Sequence, residues 1–163
     1  MKSNLLLSLA PALLITMLAP DQPVIAAEEH HHHGESSAVV QKLELNAGKK
    51  WATDAALRQS MNVINQVVAK AIPLIHKDCF SDADYAALAT TINQKVSYAI
   101  EHCKLEAEAD AMLHLVIGEL LGGAEMMEGK TASVRHDGAV WVRQALESYG
   151  KYFKHPNWKV PQG

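Results

Sequence analysis

The densest chemistry in the chain lies near its start, where Glu28-Glu29-His30-His31-His32-His33-Gly34-Glu35 places four imidazoles between carboxylates. Imidazole and carboxylate donors suit Cu(II), Ni(II) and Zn(II), so the run reads as a metal-capture arm of modest affinity and low selectivity. The plain alternative is a solvated polar tail. Glu28 to Ser37 holds no apolar residue that a core could take up, so residues 28–37 are expected to stay outside any fold.

A second candidate pairs His114 with Asp110. At i, i+4 on a helix both side chains share a face, where a carboxylate orients an imidazole and raises its basicity. Met61 and His114 each fall about eight positions into helices that start at the same end of the arrangement derived below, at a common depth of ~12 Å. Facing each other, they would offer a soft-metal site or the two axial ligands of a b-type haem. Set against this, Met61 belongs to an ordinary apolar stripe, and a histidine bonded to Asp110 at the edge of a stripe is satisfied without a ligand. Cys103 with His102 is a third donor set, suited to Cu(I) or Zn(II), although a lone cysteine is often a small core residue. His76, Cys79, Met126, Met127 and His136 gather at the opposite end as a weaker collection.

Catalytic patterns are absent from the sequence. It holds no Gly-x-Ser-x-Gly, no phosphate-cradling glycine loop, no His-Glu-x-x-His and no paired Glu-x-x-His of a di-iron bundle, so the chain reads as a non-enzyme. Net charge is −3 and the basic residues do not cluster, which argues against a nucleic-acid partner or a polybasic membrane anchor. A homodimer or a periplasmic protein partner is left open.

Positioning of these residues follows from the hydrophobic pattern. Lys2, the apolar run Leu5 to Ala19 and the small residues before Glu28 read as a secretory signal peptide over residues 1–27, too short at about 15 apolar residues to span a bilayer. A periplasmic location is therefore expected. Residues 38–52 form a lead-in with alternating Leu43 and Leu45 and a Gly48 turn. The bundle proper occupies 53–155 and a tail 156–163. Leu57, Met61, Ile64, Val68, Ala71 and Ile75 recur at helical spacing from Thr53 to His76, with Pro73 expected to kink or end that helix. Ser81-Asp82-Ala83-Asp84 announces a second helix, with Leu88, Ile92, Val96 and Ile100 inward. Leu113, Ile117, Leu120, Ala124 and Met127 mark a third, closed by Gly129. A fourth is expected from Thr131 or Ser133, with Val134, Gly138, Trp141, Ala145, Tyr149 and Tyr152 inward, and stops before Pro156. Four such helices on short loops give an all-α, antiparallel up-down four-helix bundle. Cys79 and Cys103 flank the second helix about 35 Å apart, too far for a disulfide, which needs Cα atoms within ~7 Å.

The spacing Leu43-x-Leu45-Asn46-x-Gly48-x-Lys50-Trp51, Leu57-Arg58-x-x-Met61, Cys103-Lys104-Leu105, Ala109-Asp110-x-x-Leu113-His114 and Phe153-x-His155-Pro156-x-Trp158 resembles a family of small exported proteobacterial helical proteins without a settled activity. The resemblance covers Leu43 to Trp158 and implies export and a bundle fold, but no reaction. In architecture the chain also loosely resembles cytochrome b562 and c-prime bundles, without the Cys-x-x-Cys-His sequence of covalent haem attachment. The expectation is a periplasmic protein that binds or buffers copper, zinc or nickel through His30, His31, His32 and His33, with Met61, Cys103, Asp110 and His114 as a bundle site. A b-type haem carrier and an interaction bundle are the rivals.

Overall fold

The computed structural model describes residues 42–131 and 133–162; the segment 1–27 expected to be a signal peptide and the His30 to His33 run lie outside the described residues. Four helices make an antiparallel up-down bundle: α1 (Ala55–Ile75), α2 (Asp82–His102), α3 (Ala107–Met127) and α4 (Arg135–Tyr152). At 1.5 Å per residue each spans about 30 Å. No helix among the described residues is long and apolar enough to cross a membrane.

The helix starts differ in how their free N–H groups are met. Asp54 caps α1 by accepting from the Leu57 N–H at 2.8 Å. At α2 the Ser81 hydroxyl accepts from the Asp84 N–H at 3.2 Å while the Asp84 carboxylate accepts from the Ser81 N–H at 2.9 Å, the reciprocal capping box that the Ser81-x-x-Asp84 spacing permits. The serine bonds hold the Asp84 carboxyl below its ordinary pKa. Neither α3 nor α4 has a side-chain cap. The expected start of α4 at Thr131 or Ser133 comes too early, since the Ser133 N–H donates to the Thr131 hydroxyl ahead of the helix, which begins only at Arg135. Arg135 itself is tied to the Met127 carbonyl and to Asp82. Pro73 lies in the last turn of α1, where it takes away one helical N–H donor, and the helix closes two residues later at Ile75.

The inward stripes of α1 and α3 are those the spacing marks. On α2 and α4 most of the marked residues are buried too, namely Leu88, Ile92 and Val96, and Gly138, Ala145 and Tyr149. Ile100 is exposed and Ala99 takes its place, while Val134 and Trp141 stand in solvent and α4 buries Gly138, Ala139, Val142, Ala145, Leu146 and Tyr149. A reason is visible at the α3–α4 crossing, where backbones approach so closely that a Cβ on Gly138 would lie 2.5 Å from the Gly123 carbonyl oxygen. Only small residues fit that seam, so the large Trp141 is turned outward against Gly122.

Ahead of α1, Asn46 and Lys49 exchange two backbone hydrogen bonds of 2.8 Å around a tight turn, and Trp51 pairs in parallel with Phe153 beyond α4. Cys79 and Cys103 are both free thiols.

Candidate functional site

The most developed arrangement of polar and aromatic side chains lies at the end of the bundle where α1 and α3 start and α2 and α4 finish. Asp54 joins three elements there: one carboxylate oxygen caps α1 and the other accepts from the Lys104 N–H, in the α2–α3 link, at 2.6 Å. The lead-in and the C-terminal tail are laced together. Trp51 donates its N–H to the Tyr152 carbonyl and accepts from the Lys154 N–H, both at 2.8 Å, while its indole donates to the Glu44 carbonyl at 2.7 Å. Thr53 donates to the Lys154 carbonyl at 2.6 Å, and Arg58 donates to the Thr53 carbonyl.

Inside this lacing sits an aromatic box. The fully buried Tyr149 stacks on Phe153, with ring centres 5.3 Å apart, and meets Trp158 edge-on at 4.8 Å. Its hydroxyl lies 3.0 Å from His155 Nδ1. Burial drives the Tyr149 phenol far above its ordinary pKa, so it stays protonated, and its buried O–H, with His155 Nδ1 as its hydrogen-bond partner, donates there when the imidazole proton sits on Nε2. Burial, and then the Arg58 guanidinium, push His155 below its ordinary value, so the ring is neutral at pH 7. Trp158 lies on the bare backbone of Gly150, where a Cβ would come within 2.6 Å of the indole.

The residues singled out for metal or haem do not converge. Met61 is 2% exposed, inside the single hydrophobic cluster. His114 is 57% exposed, with Nδ1 2.9 Å from the Asp110 carbonyl and 3.4 Å from its carboxylate. The expected Asp110–His114 pairing is present, but on the solvent face. Leu113 points inward and the next residue is turned by about 100°, which carries His114 away from Met61 rather than across the core. The Met61–His114 pair expected for haem is therefore not formed.

Cys103 is half-buried, and burial followed by the Asp54 and Asp110 charges raises its thiol, the reverse of what a thiolate ligand needs. His102 bends back to the Tyr98 carbonyl at 2.9 Å and stacks on that ring, so it does not join Cys103. At the other end Met126 and Met127 are buried, whereas Cys79 and His136 are exposed. Among the described residues no three His, Cys, Asp or Glu side chains come together as a metal-ligand group. His30, His31, His32 and His33 lie outside the described residues.

No spacing in the sequence points to the Tyr149–His155–Trp158 box, and His155 and Trp158 stand out there only in the Phe153-x-His155-Pro156-x-Trp158 pattern. The local signals for the box are Gly150 beside Tyr149 in a helix and the His155-Pro156-Asn157-Trp158 turn. Trp51, Arg58, Lys104, Phe153, His155 and Trp158 all contribute to this end of the bundle. Compared with protein-family models, with curated proteins and with solved structures, the chain finds no match.

Proposed function

We propose that this is a non-catalytic, periplasmic transition-metal binding protein whose donors are His30, His31, His32 and His33, flanked by Glu29 and Glu35. The observation that carries the reading is a contrast. The described histidines are dispersed, with His102, His114 and His155 engaged by their own surroundings, whereas the run before the bundle holds four unspaced imidazoles. The bundle then serves as a stable body for a metal-capture arm. Copper, zinc and nickel all accept imidazole nitrogen, and a run without fixed geometry discriminates among them little. Binding needs neutral imidazole, so it is expected to weaken as pH falls below about 6.5.

Elemental analysis by inductively coupled plasma mass spectrometry tests this on mature protein purified from the periplasm without chelator. Stoichiometric copper, zinc or nickel is expected, and its loss when His30 to His33 are all replaced by alanine. Equal metal in both proteins, or none after loading and desalting, would sink the reading, and iron would point to haem instead.

A second reading, an interaction bundle, is favoured by one surface. Val134, Val140 and Trp141 stand exposed on or beside the start of α4, with Trp141 43% exposed. Tryptophan is a frequent anchor of protein interfaces. Trp141→Ser would leave metal stoichiometry unchanged in the first reading and would abolish partner capture in the second.

A further inference from the structure

The seam between α1 and α4 is closed less by the two helices, which touch directly over a short stretch, than by the C-terminal tail. After Phe153 the chain turns at Asn157, in left-handed backbone at φ 60°, and the Trp158 N–H reaches the His155 carbonyl at 3.3 Å. Trp158 then seats on Gly150 and Tyr149 of α4. Asn65 of α1 donates its side-chain amide to the Lys159 carbonyl at 3.0 Å, and Pro161 is buried. The tail thus bridges both helices.

We propose that residues 155–162 form an acid-released strap, in which protonation of His155 unseats Trp158 and opens the α1–α4 seam. The seat is built for a neutral ring. Tyr149 hydroxyl, fully buried, has His155 Nδ1 as its hydrogen-bond partner, and Nδ1 can accept that proton only while it carries none of its own. Once protonated, Nδ1 turns donor, and the phenol proton is left in an apolar box without an acceptor.

The charged and titratable groups around the ring oppose the cation. From α1 comes the Arg58 guanidinium, a like charge; from α4 comes Tyr149, which stays neutral. Among the carboxylates at this end, Asp54 is held by the N–H groups of Leu57 and Lys104. The seat also carries a built-in weakness, since the Trp158 indole N–H is buried with no acceptor among the described residues and gains water when the tail lifts.

The sign follows from His155 being held below its ordinary value when seated. Seated and released tails bind protons equally at neutral pH, so the strap is at full strength above about 6.5, the ordinary histidine pKa. As pH falls below that, the released form takes up the proton first, and each pH unit shifts the ratio toward release by about tenfold until the seated ring also protonates.

The test is a pH titration of the full mature chain by two-dimensional 15N NMR, following the Trp158 indole N–H between pH 7.5 and 4.5. Its resonance is expected to move and its exchange with water to quicken in step with His155, while the indole of Trp51 stays fixed. Arg58→Gln should move the midpoint upward toward that of an ordinary histidine, with helix content by circular dichroism unchanged. In His155→Asn the Trp158 signal should be independent of pH, seated or released throughout. A Trp158 signal unchanged over the range in the native chain, or the same response persisting in His155→Asn, overturns the strap.

Discussion

The two seams flanking α4 are closed in opposite ways. Against α3 it packs backbone to backbone: a Cβ on Gly123 would meet the Gly138 carbonyl oxygen and Val142 Cγ2, each at 2.7 Å. Against α1 it packs in part through a third element, the tail, whose Trp158 lies on α4 and whose Lys159 carbonyl accepts from Asn65 of α1. Small residues on both partners make a seam that nothing can enter or leave. A seam without them keeps a gap, and whatever fills the gap from a chain end is bound by a finite equilibrium of its own. One face of α4 is therefore fixed and the other conditional.

The sharpest way to break this contrast is at the glycines. Gly138→Val would drive its side chain into the Gly123 carbonyl and the Met126 and Met127 side chains, none of which can retreat without parting the helices. A loss of about 3 kcal/mol in the free energy of unfolding is expected from such overpacking, read by urea denaturation. Gly118→Ala on α3, where an added Cβ meets nothing within 4 Å, is the control and should gain up to ~1 kcal/mol from helix propensity. Equal effects at the two positions would mean that the close crossing is not what closes this seam.

A smaller effect is expected on the conditional side. Trp158→Ala removes a half-buried indole from Gly150 and Tyr149, at about 2 kcal/mol at pH 7.5, below the 3–5 of a fully buried aromatic. Thermal unfolding at pH 7.5 and at pH 4.5 reads it. The loss should shrink at the acid pH, where the native tail is already released, whereas the Gly138→Val loss should be the same at both.

How much of this is legible in the sequence depends on what each residue packs against. Leu57, Met61, Ile64 and Val68, or Leu113, Ile117 and Leu120, repeat at intervals of three and four without interruption, and the structure buries every one. On α4 the apolar signal misleads at Trp141, its largest apolar residue, because the crossing with α3 selects for smallness there: Gly138 and Ala145 face inward as the spacing marks, and the tryptophan faces out. The Met61–His114 pairing fails on a similarly fine point, the phase of one residue beside Leu113. The Tyr149–His155 bond is out of reach of any periodicity, since it joins a helix to a tail through the left-handed turn at Asn157 and the bare surface of Gly150.

The finest test of the comparison is Tyr149→Phe, which keeps the ring stacked on Phe153 and takes away only the hydroxyl. His155 Nδ1 then faces the box without its donor, and a half-buried acceptor without a partner costs about 1 kcal/mol. That loss belongs to the seated tail alone. Urea midpoints should therefore separate native and Tyr149→Phe proteins at pH 7.5 and bring them together at pH 4.5, where the native bond is already broken by the proton on His155. A difference that is constant across the range would place the hydroxyl in the permanent core, like the α3–α4 glycines, and would leave the α1–α4 seam as fixed as its neighbour.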